Sequence, residues 1–462
     1  MNGIMFQSLH EECGVFGVFD VGHACETVLT GLASLQHRGQ EGCGVAVVES
    51  SGRILLRKGE GLVSQVFRDR IDGGIPDRCA IGHVRYGTSG GKELENIQPF
   101  VFNRSSFHCA VAHNGNIVNA LELKTRLGAS GDLFRSSSDS EIAGHLVMRL
   151  SARERALSAG TIGQALHEIE GAFSLLFLTP DRMFACRDKH GLRPLSVGRL
   201  GKGYVVSSET CALQAVGAEF LYDIAPGEIL EISGKGLRSS YYSRYRRNAM
   251  CAMEYIYFAR PDTSIEGVNV HSFREEAGRI LSEESPVQAD LVFGVPDSGI
   301  SSAIGYARAS GIPMETGLVK NAYVGRTFIQ PSQNMREAGV RMKLAPVTSV
   351  VKGKRLIVID DSIVRGTTSR QIVRMLRQAG AAEVHMRITS PPLRHPCFYG
   401  IDISSETELI SSHKTVEEVR RFIEADSLAF LSEKGLLSAG KRTDLCMACF
   451  NGRYPTDLYS HV

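Results

Sequence analysis

The stretch LIVIDDSIVRGTTS, residues 356–369, decides how the second half of the chain folds. Its apolar run is typical of a buried strand, which ends at two acids, Asp360 and Asp361. A helix is then expected from about 367 to 379, and its opening is formed by Arg365, Gly366, Thr367, Thr368 and Ser369. The N-terminus of a helix can bind a phosphate group, and carboxylates at the ends of strands can bind sugar hydroxyls or Mg²⁺. The stretch therefore predicts a phosphate site beside a magnesium site, with a merely capped helix as the alternative.

Apolar strands alternate with helices on both sides of this stretch. The run DLVFGVP (290–296) precedes a small-residue helix expected at about 299–310, and EVHMRIT (383–389) follows the helix that starts near Thr367. Continuous apolar strands that alternate with helices indicate a parallel sheet buried on both faces. The second half is therefore predicted to be an α/β domain.

Short strand patterns punctuated by glycine dominate the first half instead. The clearest are GVAVV (44–48), FSLLFL (173–178), MFACRD (183–188) and YVVSSE (204–209). Two helical patterns interrupt them, near 26–36 and 139–150. This mixture predicts an α+β domain with antiparallel sheets. The polar segment SYYSRYRRNAM (240–250) breaks the pattern, and we place the domain boundary there.

The composition describes a large and nearly neutral chain. It has 462 residues, 43% of them hydrophobic, and 52 basic against 50 acidic residues leave a net charge of +2. Neither nucleic acid nor a membrane is expected as a partner, because there is no general basic field and no run of about 18 apolar residues. Eleven cysteines without an export signal favour the cytoplasm. We interpret six of them as small buried hydrophobes: Cys25, Cys43, Cys79, Cys109, Cys186 and Cys211.

Three polar islands lie among the strands of the first half: HVRYGT (83–88), HNGN (113–116) and SSSDSE (136–141). Arg85 suits a carboxylate and Asp139 an ammonium, so together they suit a free amino acid. Asn114 and the N–H of Gly115 suit an oxyanion. The alternatives are a surface ion pair for Arg85, a hairpin turn at Asn114-Gly115 and a helix N-cap at Asp139.

The chemistry of Cys13 depends on the twelve residues before it, MNGIMFQSLHEE. They are too polar for a secretory signal peptide and precede the apolar run GVFGVF (14–19). Either they form a ragged first strand, or they are removed and leave Cys13 as the first residue. A buried structural cysteine is the alternative to a reactive one.

Four further cysteines lie in the second half. Cys446 and Cys449 form a C-x-x-C, and Cys251 and Cys397 complete a set of four thiols. Four thiolates suit zinc or an iron–sulfur cluster, and spacing alone does not choose between these or show that a metal binds at all.

The stretch 356–369 resembles the phosphoribosylpyrophosphate (PRPP) signature of type I phosphoribosyltransferases. The resemblance implies that Asp360 and Asp361 hold the ribose hydroxyls and Mg²⁺, and that 364–369 hold the 5-phosphate. It also implies a pyrophosphate loop at GVPDSG (294–299), with Ser298 near the metal. Residues 320–344 would be a mobile loop whose Lys320 and Arg326 meet the polyphosphate.

The polar islands of the first half, with CGVFG at Cys13 and QHRGQEG at 36–42, resemble the class II glutamine amidotransferases. Those are N-terminal-nucleophile hydrolases, in which the free α-amino group of the first cysteine is the base for its own thiol. Its ordinary pKa of about 7.7–8.0 suits that task. The resemblance implies that residues 1–12 are a propeptide and that Cys13, Asn114 and Gly115 are catalytic. Arg85 and Asp139 would bind glutamine.

Over nearly its whole length the chain resembles the glutamine PRPP amidotransferases, in the branch with a propeptide and a [4Fe–4S] cluster. This implies an amidotransferase domain at 13–245 and a phosphoribosyltransferase domain at 246–462, with the cluster on Cys251, Cys397, Cys446 and Cys449. It also implies formation of 5-phosphoribosylamine in the first committed step of purine synthesis, inhibition by purine nucleotides, and a homotetramer. The alternatives are another class II amidotransferase and a non-catalytic PRPP or redox sensor.

Overall fold

The computed structural model describes residues 13–68, 77–86, 93–104, 107–154, 157–245, 248–321, 344–403 and 405–458. The predicted propeptide, Arg326 and most of the predicted mobile loop lie outside these ranges.

Antiparallel strands make up the centre of the first half. They are β1 (Gly14–Phe19), β2 (Gly42–Val48), β3 (Ile54–Glu60), β4 (Cys79–Arg85), β5 (Phe100–Arg104), β6 (Phe107–Ile117), β7 (Gly171–Leu178), β8 (Arg182–Arg187), β9 (Ser196–Leu200), β10 (Gly203–Ser207), β11 (Glu219–Asp223), β12 (Glu228–Ser233) and β13 (Gly236–Tyr241). One sheet has the order β11-β9-β10-β1-β4-β2-β3, and the other has β13-β12-β8-β7-β6-β5.

The two sheets pack face to face between layers of helices. Along β1, Val15 and Phe19 pack in the core between the sheets, whereas Phe16 and Val18 pack under the helix layer. This alternation explains why β1 is apolar at nearly every position: both of its faces are buried. The helices of this half are α1 (Ala24–Ser34), α2 (Val63–Val66), α3 (Ala120–Ala129), α4 (Ser140–Glu154), α5 (Ala159–His167) and α6 (Thr210–Ala215), with a 3₁₀ turn at Leu94–Asn96. The predicted antiparallel α+β sandwich is confirmed.

A parallel sheet of order β17-β20-β21-β22 forms the centre of the second half. The strands of this half are β14 (Met250–Cys251), β15 (Ser264–Ile265), β16 (Val268–Asn269), β17 (Leu291–Gly294), β18 (Leu318–Lys320), β19 (Leu344–Pro346), β20 (Arg355–Asp360), β21 (Glu383–Ile388), β22 (Ser427–Phe430) and β23 (Leu445–Cys446).

Helices cover both faces of this sheet. They are α7 (Val270–Glu284), α8 (Gly299–Ser310), α9 (Thr348–Val351), α10 (Thr367–Gln378), α11 (Ile410–His413), α12 (Val416–Ile423), α13 (Glu433–Ala439) and α14 (Ala448–Asn451), with a π-helical turn at Glu254–Phe258 and a 3₁₀ turn at Glu406–Glu408. Ile357 and Ile359 of β20 pack toward α7 and α8, whereas Val358 packs toward α10 and α12. The predicted α/β sheet is confirmed. The boundary at residues 245 and 246 stays a prediction.

Candidate active sites

Cys13 stands directly before β1, beside the end of β4. Its thiol lies 3.6 Å from the carbonyl oxygen of Tyr86, and its own carbonyl accepts a hydrogen bond from Nε of Arg38 at 3.1 Å. The residue is half-buried. The thiol therefore lies at the edge of the sandwich, next to the residue that follows β4.

Asn114 and Gly115 lie inside β6, in register with Ser174 and Phe173 of β7. The hairpin-turn alternative is therefore wrong. Gly115 has φ of 148°, and a Cβ there would lie 2.0 Å from the carbonyl oxygen of Ala172, so only glycine fits.

A shared hydroxyl connects this amide to the strand that follows the cysteine. The fully buried Asn114 donates from Nδ2 to Oγ of Ser208 at 3.4 Å, and the same Oγ accepts the N–H of Val15 at 3.0 Å. The amide of Asn114 is thus fixed relative to β1 and to Cys13.

Arg85 and Asp139 are both buried, with 5% and 8% of their surfaces exposed. The surface-ion-pair alternative for Arg85 is therefore wrong. Asp139 lies just before α4, but its carboxylate accepts from the N–H of Ile117 in β6 at 2.8 Å and from the hydroxyl of Ser140 at 3.2 Å. This carboxylate is oriented toward the strand that carries Asn114.

Two buried histidines beneath this site were not predicted from the sequence. The N–H of His113 donates to Oε1 of Gln98 at 2.7 Å, and Nδ1 of His113 lies 2.8 Å from the hydroxyl of Ser140. Burial lowers the pKa of both rings, with Arg85 assisting at His83, where the pKa falls to about 3. His83 lies in the motif HVRYGT and His113 in the motif HNGN, so their place in these motifs was the sequence signal that could have identified them. They form a neutral support for Asn114 and Asp139.

The second predicted site is a cavity of about 570 Å³ at the carboxyl end of the parallel sheet. Its lining brings together the predicted residues Ser298, Lys320, Asp360, Asp361, Arg365, Gly366, Thr367, Thr368 and Ser369. His37 and Gln40 of the first half line the same cavity. The two halves therefore meet at this site.

The paired acids are buried at the end of β20. Burial raises the pKa of Asp360 and Asp361, and their mutual repulsion adds to the shift at Asp360. Ser298 donates to Oδ2 of Asp361, and Ser362 donates to Oδ1 at 2.6 Å. Two buried carboxylates with so few donors suit a cation. No group of three or more His, Cys, Asp or Glu forms a ready metal site in the described residues, so Mg²⁺ would need water and substrate oxygens as further ligands.

The predicted phosphate loop turns into α10 at Gly366, which has φ of 74°. Two of the predicted anion-binding side chains meet carboxylates here: Arg365 lies 2.7 Å from Oε1 of Glu408, and Lys320 lies 2.5 Å from Oδ2 of Asp297. A polyanionic substrate would therefore compete with these acids for the two cations.

The four cysteines of the second half lie in one region. Cys251 of β14 pairs in parallel register with Cys446 of β23, and the thiol of Cys397 accepts the N–H of Tyr399 at 3.4 Å. Burial raises the pKa of the Cys446 thiol to about 12 and also raises the pKa of the Cys449 thiol well above its ordinary value, with Cys397 adding to both shifts. The six other cysteines predicted to be buried are buried.

Comparison with known proteins gives one consistent result. Residues 88–215 match the family model described as a glutamine amidotransferase domain. The amidophosphoribosyltransferase of Bacillus subtilis (strain 168) is 51% identical over 460 residues, which cover 98% of this chain and 96% of that one. The amidophosphoribosyltransferase of Synechococcus elongatus is 47% identical over 459 residues, covering 98% and 93%.

Two solved structures match this chain over nearly its whole length. The glutamine PRPP amidotransferase of B. subtilis, complexed with ADP and GMP, superposes with a TM-score of 0.90 at 50% identity, covering 97% of this chain and 98% of that one. A structure described as the allosteric regulatory enzyme of purine biosynthesis gives a TM-score of 0.91 at 50% identity, covering 97% of both chains. Among the described residues, none of the helices combines the length and the apolar character needed to cross a membrane.

Proposed function

This chain belongs to the amidophosphoribosyltransferase family and is a glutamine-dependent amidophosphoribosyltransferase of purine biosynthesis, and we propose that its two sites divide the reaction. Glutamine is hydrolysed at Cys13, and the ammonia displaces pyrophosphate from PRPP in the cavity around Asp361. The observation that carries the first assignment is the hydroxyl of Ser208, which binds both Asn114 and the strand after Cys13.

In the first half-reaction, the thiolate of Cys13 attacks the side-chain amide carbon of glutamine. The developing oxyanion is bound by Nδ2 of Asn114 and the N–H of Gly115. The α-amino group of Cys13 takes the thiol proton and passes it to the departing ammonia, and water then releases glutamate from the thioester. Arg85 binds the α-carboxylate of glutamine and Asp139 its ammonium group. Because an amide nitrogen cannot act as this base, residues 1–12 must be removed.

In the second half-reaction, ammonia forms a bond to C1 of the ribose as the bond to pyrophosphate breaks. Residues 364–369 hold the 5-phosphate, and Asp360 and Asp361 orient the ribose hydroxyls. Lys320 and Arg326 meet the polyphosphate. Asp360, Asp361 and Ser298 would hold Mg²⁺, which would neutralise charge on the leaving pyrophosphate.

We assign a [4Fe–4S] cluster to Cys251, Cys397, Cys446 and Cys449. A single zinc ion draws four thiolates onto one point, whereas each iron of a four-iron cluster takes one thiolate. The assignment is supported by the position of the four cysteines, which lie in one largely buried region. The group would hold the carboxyl-terminal elements together rather than take part in either half-reaction.

Regulation and assembly are proposed on the basis of the family. A relative was solved with ADP and GMP, which supports purine nucleotides as feedback inhibitors of this enzyme. We further propose a homotetramer in the cytoplasm.

The proposed division is tested with Cys13→Ala and Asp361→Ala. We expect Cys13→Ala to lose glutamine hydrolysis and glutamine-dependent synthesis but to keep synthesis from free ammonia, because only the first site is disabled. Asp361→Ala should keep glutamine hydrolysis and lose synthesis from either nitrogen source. Glutaminase and phosphoribosylamine assays separate the two outcomes.

Two results would contradict the proposal. Glutamine hydrolysis by Cys13→Ala would place the nucleophile elsewhere, and glutamine hydrolysis lost alone in Asp361→Ala would remove the second-site assignment. Intact mass of the purified enzyme tests the propeptide: a mature chain beginning at Met1 leaves Cys13 without its base. A PRPP or redox sensor without activity would show no synthesis from either nitrogen source.

A further inference from the structure

The side chain of Arg38 lies behind Cys13 and binds a carboxylate from the other half of the chain. Its Nε donates to the carbonyl oxygen of Cys13 at 3.1 Å, while Nη1 and Nη2 donate to the two oxygens of Glu254 at 2.9 and 2.7 Å. Both side chains have no solvent exposure. The planar guanidinium is thus fixed from two sides, and one of these is the nucleophile's own backbone.

Two more charged side chains belong to this cluster, and Nε2 of His37 lies 2.8 Å from Oε1 of Glu209 at its margin. Nη1 of Arg38 lies 2.7 Å from Oε1 of Glu209, and Nη1 of Arg193 lies 3.4 Å from Oε1 of Glu254. The four side chains are all fully buried. Two guanidiniums and two carboxylates balance in charge, which is the condition under which buried ions are tolerated.

Glu254 also starts a segment that forms part of the wall of the second site. It begins the π-helical turn Glu254–Phe258, whose Tyr257 and Phe258 line the cavity around Asp361. Arg274 fixes this turn from behind by donating to the carbonyl oxygens of Tyr255 and Ala259, both at 2.8 Å. A short, rigid connection therefore runs from the cavity wall through Glu254 and Arg38 to Cys13.

We propose that Glu254 is a positioning residue for glutamine hydrolysis, acting through Arg38 on the carbonyl of Cys13. This inference rests on the proposed role of Cys13 as the nucleophile. The thiol and the α-amino group are carried by the same residue as that carbonyl, so a fixed carbonyl restricts how both are oriented toward the glutamine amide. The first half of the chain alone lacks this carboxylate, and glutamine hydrolysis depends on the second half for it.

The test compares Glu254→Gln with wild type in the full-length, processed enzyme. The variant keeps the size of the side chain and removes its charge. We expect kcat for glutamine hydrolysis to fall by about 10- to 100-fold, the cost of a small displacement of a reacting group. Synthesis from free ammonia and KM for PRPP should stay close to wild type, because the cavity keeps its lining.

Glu266→Gln is the matched control. Glu266 pairs across the same two halves with Arg187, at 2.6 Å, but does not contact Arg38. We expect both activities of this variant to remain close to wild type. If Glu254→Gln does not fold, Glu254→Asp takes its place, since it keeps the charge and withdraws the carboxylate by one methylene.

The inference is wrong if the Glu254 variants hydrolyse glutamine at the wild-type rate, or if both activities fall in parallel, which would make the pair a structural element only. Failure of the proposed function gives a different result. Cys13→Ala would then still hydrolyse glutamine, whereas an inactive Cys13→Ala beside a fully active Glu254→Gln removes the positioning role alone.

Discussion

Arginines are among the largest fully buried side chains of the described residues: Arg38, Arg187 and Arg193. A guanidinium is stable there only when its N–H groups are bonded. Arg187 donates to the carbonyl oxygens of Arg193, Ile224 and Gly191, each at 2.7 Å. The interior near the contact of the two halves is therefore specified by directional polar bonds as well as by volume.

His83 makes stability depend on pH in a definite direction. Burial lowers its pKa in the folded chain from an ordinary 6.5 to about 3. Between these values the unfolded chain binds a proton that the folded chain refuses, so the free energy of unfolding falls as the pH drops from about 6.5. We expect His83→Gln to reduce this slope by up to about 1.4 kcal/mol per pH unit. Urea denaturation at several pH values measures it.

His145 is the control with the opposite sign. Although burial opposes it, the carboxylates of Glu141, 3.6 Å from Nε2, and Asp132, 3.2 Å from Nδ1, raise the pKa of His145, so this ring stabilises the folded chain at acid pH and loses that contribution as the pH rises. His145→Gln should therefore steepen the fall in stability on acidification. If His83→Gln and His145→Gln change the slope in the same direction, the assignment of His83 as a buried neutral ring is wrong.

At the scale of single residues, the sequence predicted which residue types form the sites better than it predicted which residues contact each other. Asn114, Gly115, Arg85 and Asp139 were recognised as polar positions among apolar strands, and the structure buries Asn114, Arg85 and Asp139 and half-buries Gly115. The contact between Arg38 and Glu254 was not predicted, because the two residues are 216 positions apart and no local pattern connects them. The hairpin turn suggested by Asn114-Gly115 was wrong because both residues lie within the long strand β6 and pair with residues of β7.

Elements were predicted most accurately where one periodic pattern dominates. The helix expected at 299–310 is Gly299–Ser310, and the one expected at 367–379 ends at Gln378. The strand predicted to end at Asp360 and Asp361 is β20, which ends at Asp360, so Asp361 is the first residue of the loop. The short elements around Glu254 and Cys251 were not predicted, since they are held by tertiary contacts rather than by periodicity.

The start of α10 predicts a specific effect at Gly366. Its φ of 74° disfavours other residues, and a Cβ would lie 3.1 Å from the side chains of Ile410 and Phe422. We expect Gly366→Ala to shift the loop and to raise KM for PRPP by about tenfold or more, as 1.4 kcal/mol of lost binding would. Glutamine hydrolysis should be unaffected. Steady-state kinetics with each substrate measures both.

Gly353→Ala controls for backbone strain alone. Gly353 has φ of 73°, and a Cβ there would meet nothing within 4 Å. It therefore carries a similar left-handed penalty away from the cavity lining. A rise in KM for PRPP in Gly353→Ala equal to that in Gly366→Ala would show that general destabilisation, and not the phosphate loop, explains the effect.

At the scale of the whole molecule, the region around Cys397 packs directly behind the proposed glutamine site. Nδ2 of Asn116, in the strand that carries Asn114, donates to the carbonyl oxygen of Phe398 at 3.0 Å. Arg193 donates to the carbonyl oxygen of Tyr399. The segment after Cys397 therefore supports β6, and whatever holds Cys397 in place also supports the strand that carries the proposed oxyanion donors.

This arrangement predicts that loss of the proposed cluster impairs glutamine use. We expect Cys446→Ser to lose bound iron and the broad visible absorption of an iron–sulfur cluster, to melt at a lower temperature, and to hydrolyse glutamine more slowly, because the segment after Cys397 loses its anchor. Cys109→Ser is the matched control: Cys109 is buried in β6 outside the set of four, so its variant should keep iron even where stability falls. Iron content, absorption spectra and glutaminase rates under anaerobic conditions measure these effects.

A wild-type enzyme without iron, or a Cys446→Ser variant that retains its iron in full, would contradict the assignment. An iron-free variant with wild-type glutaminase activity would show instead that β6 keeps its position without the cluster.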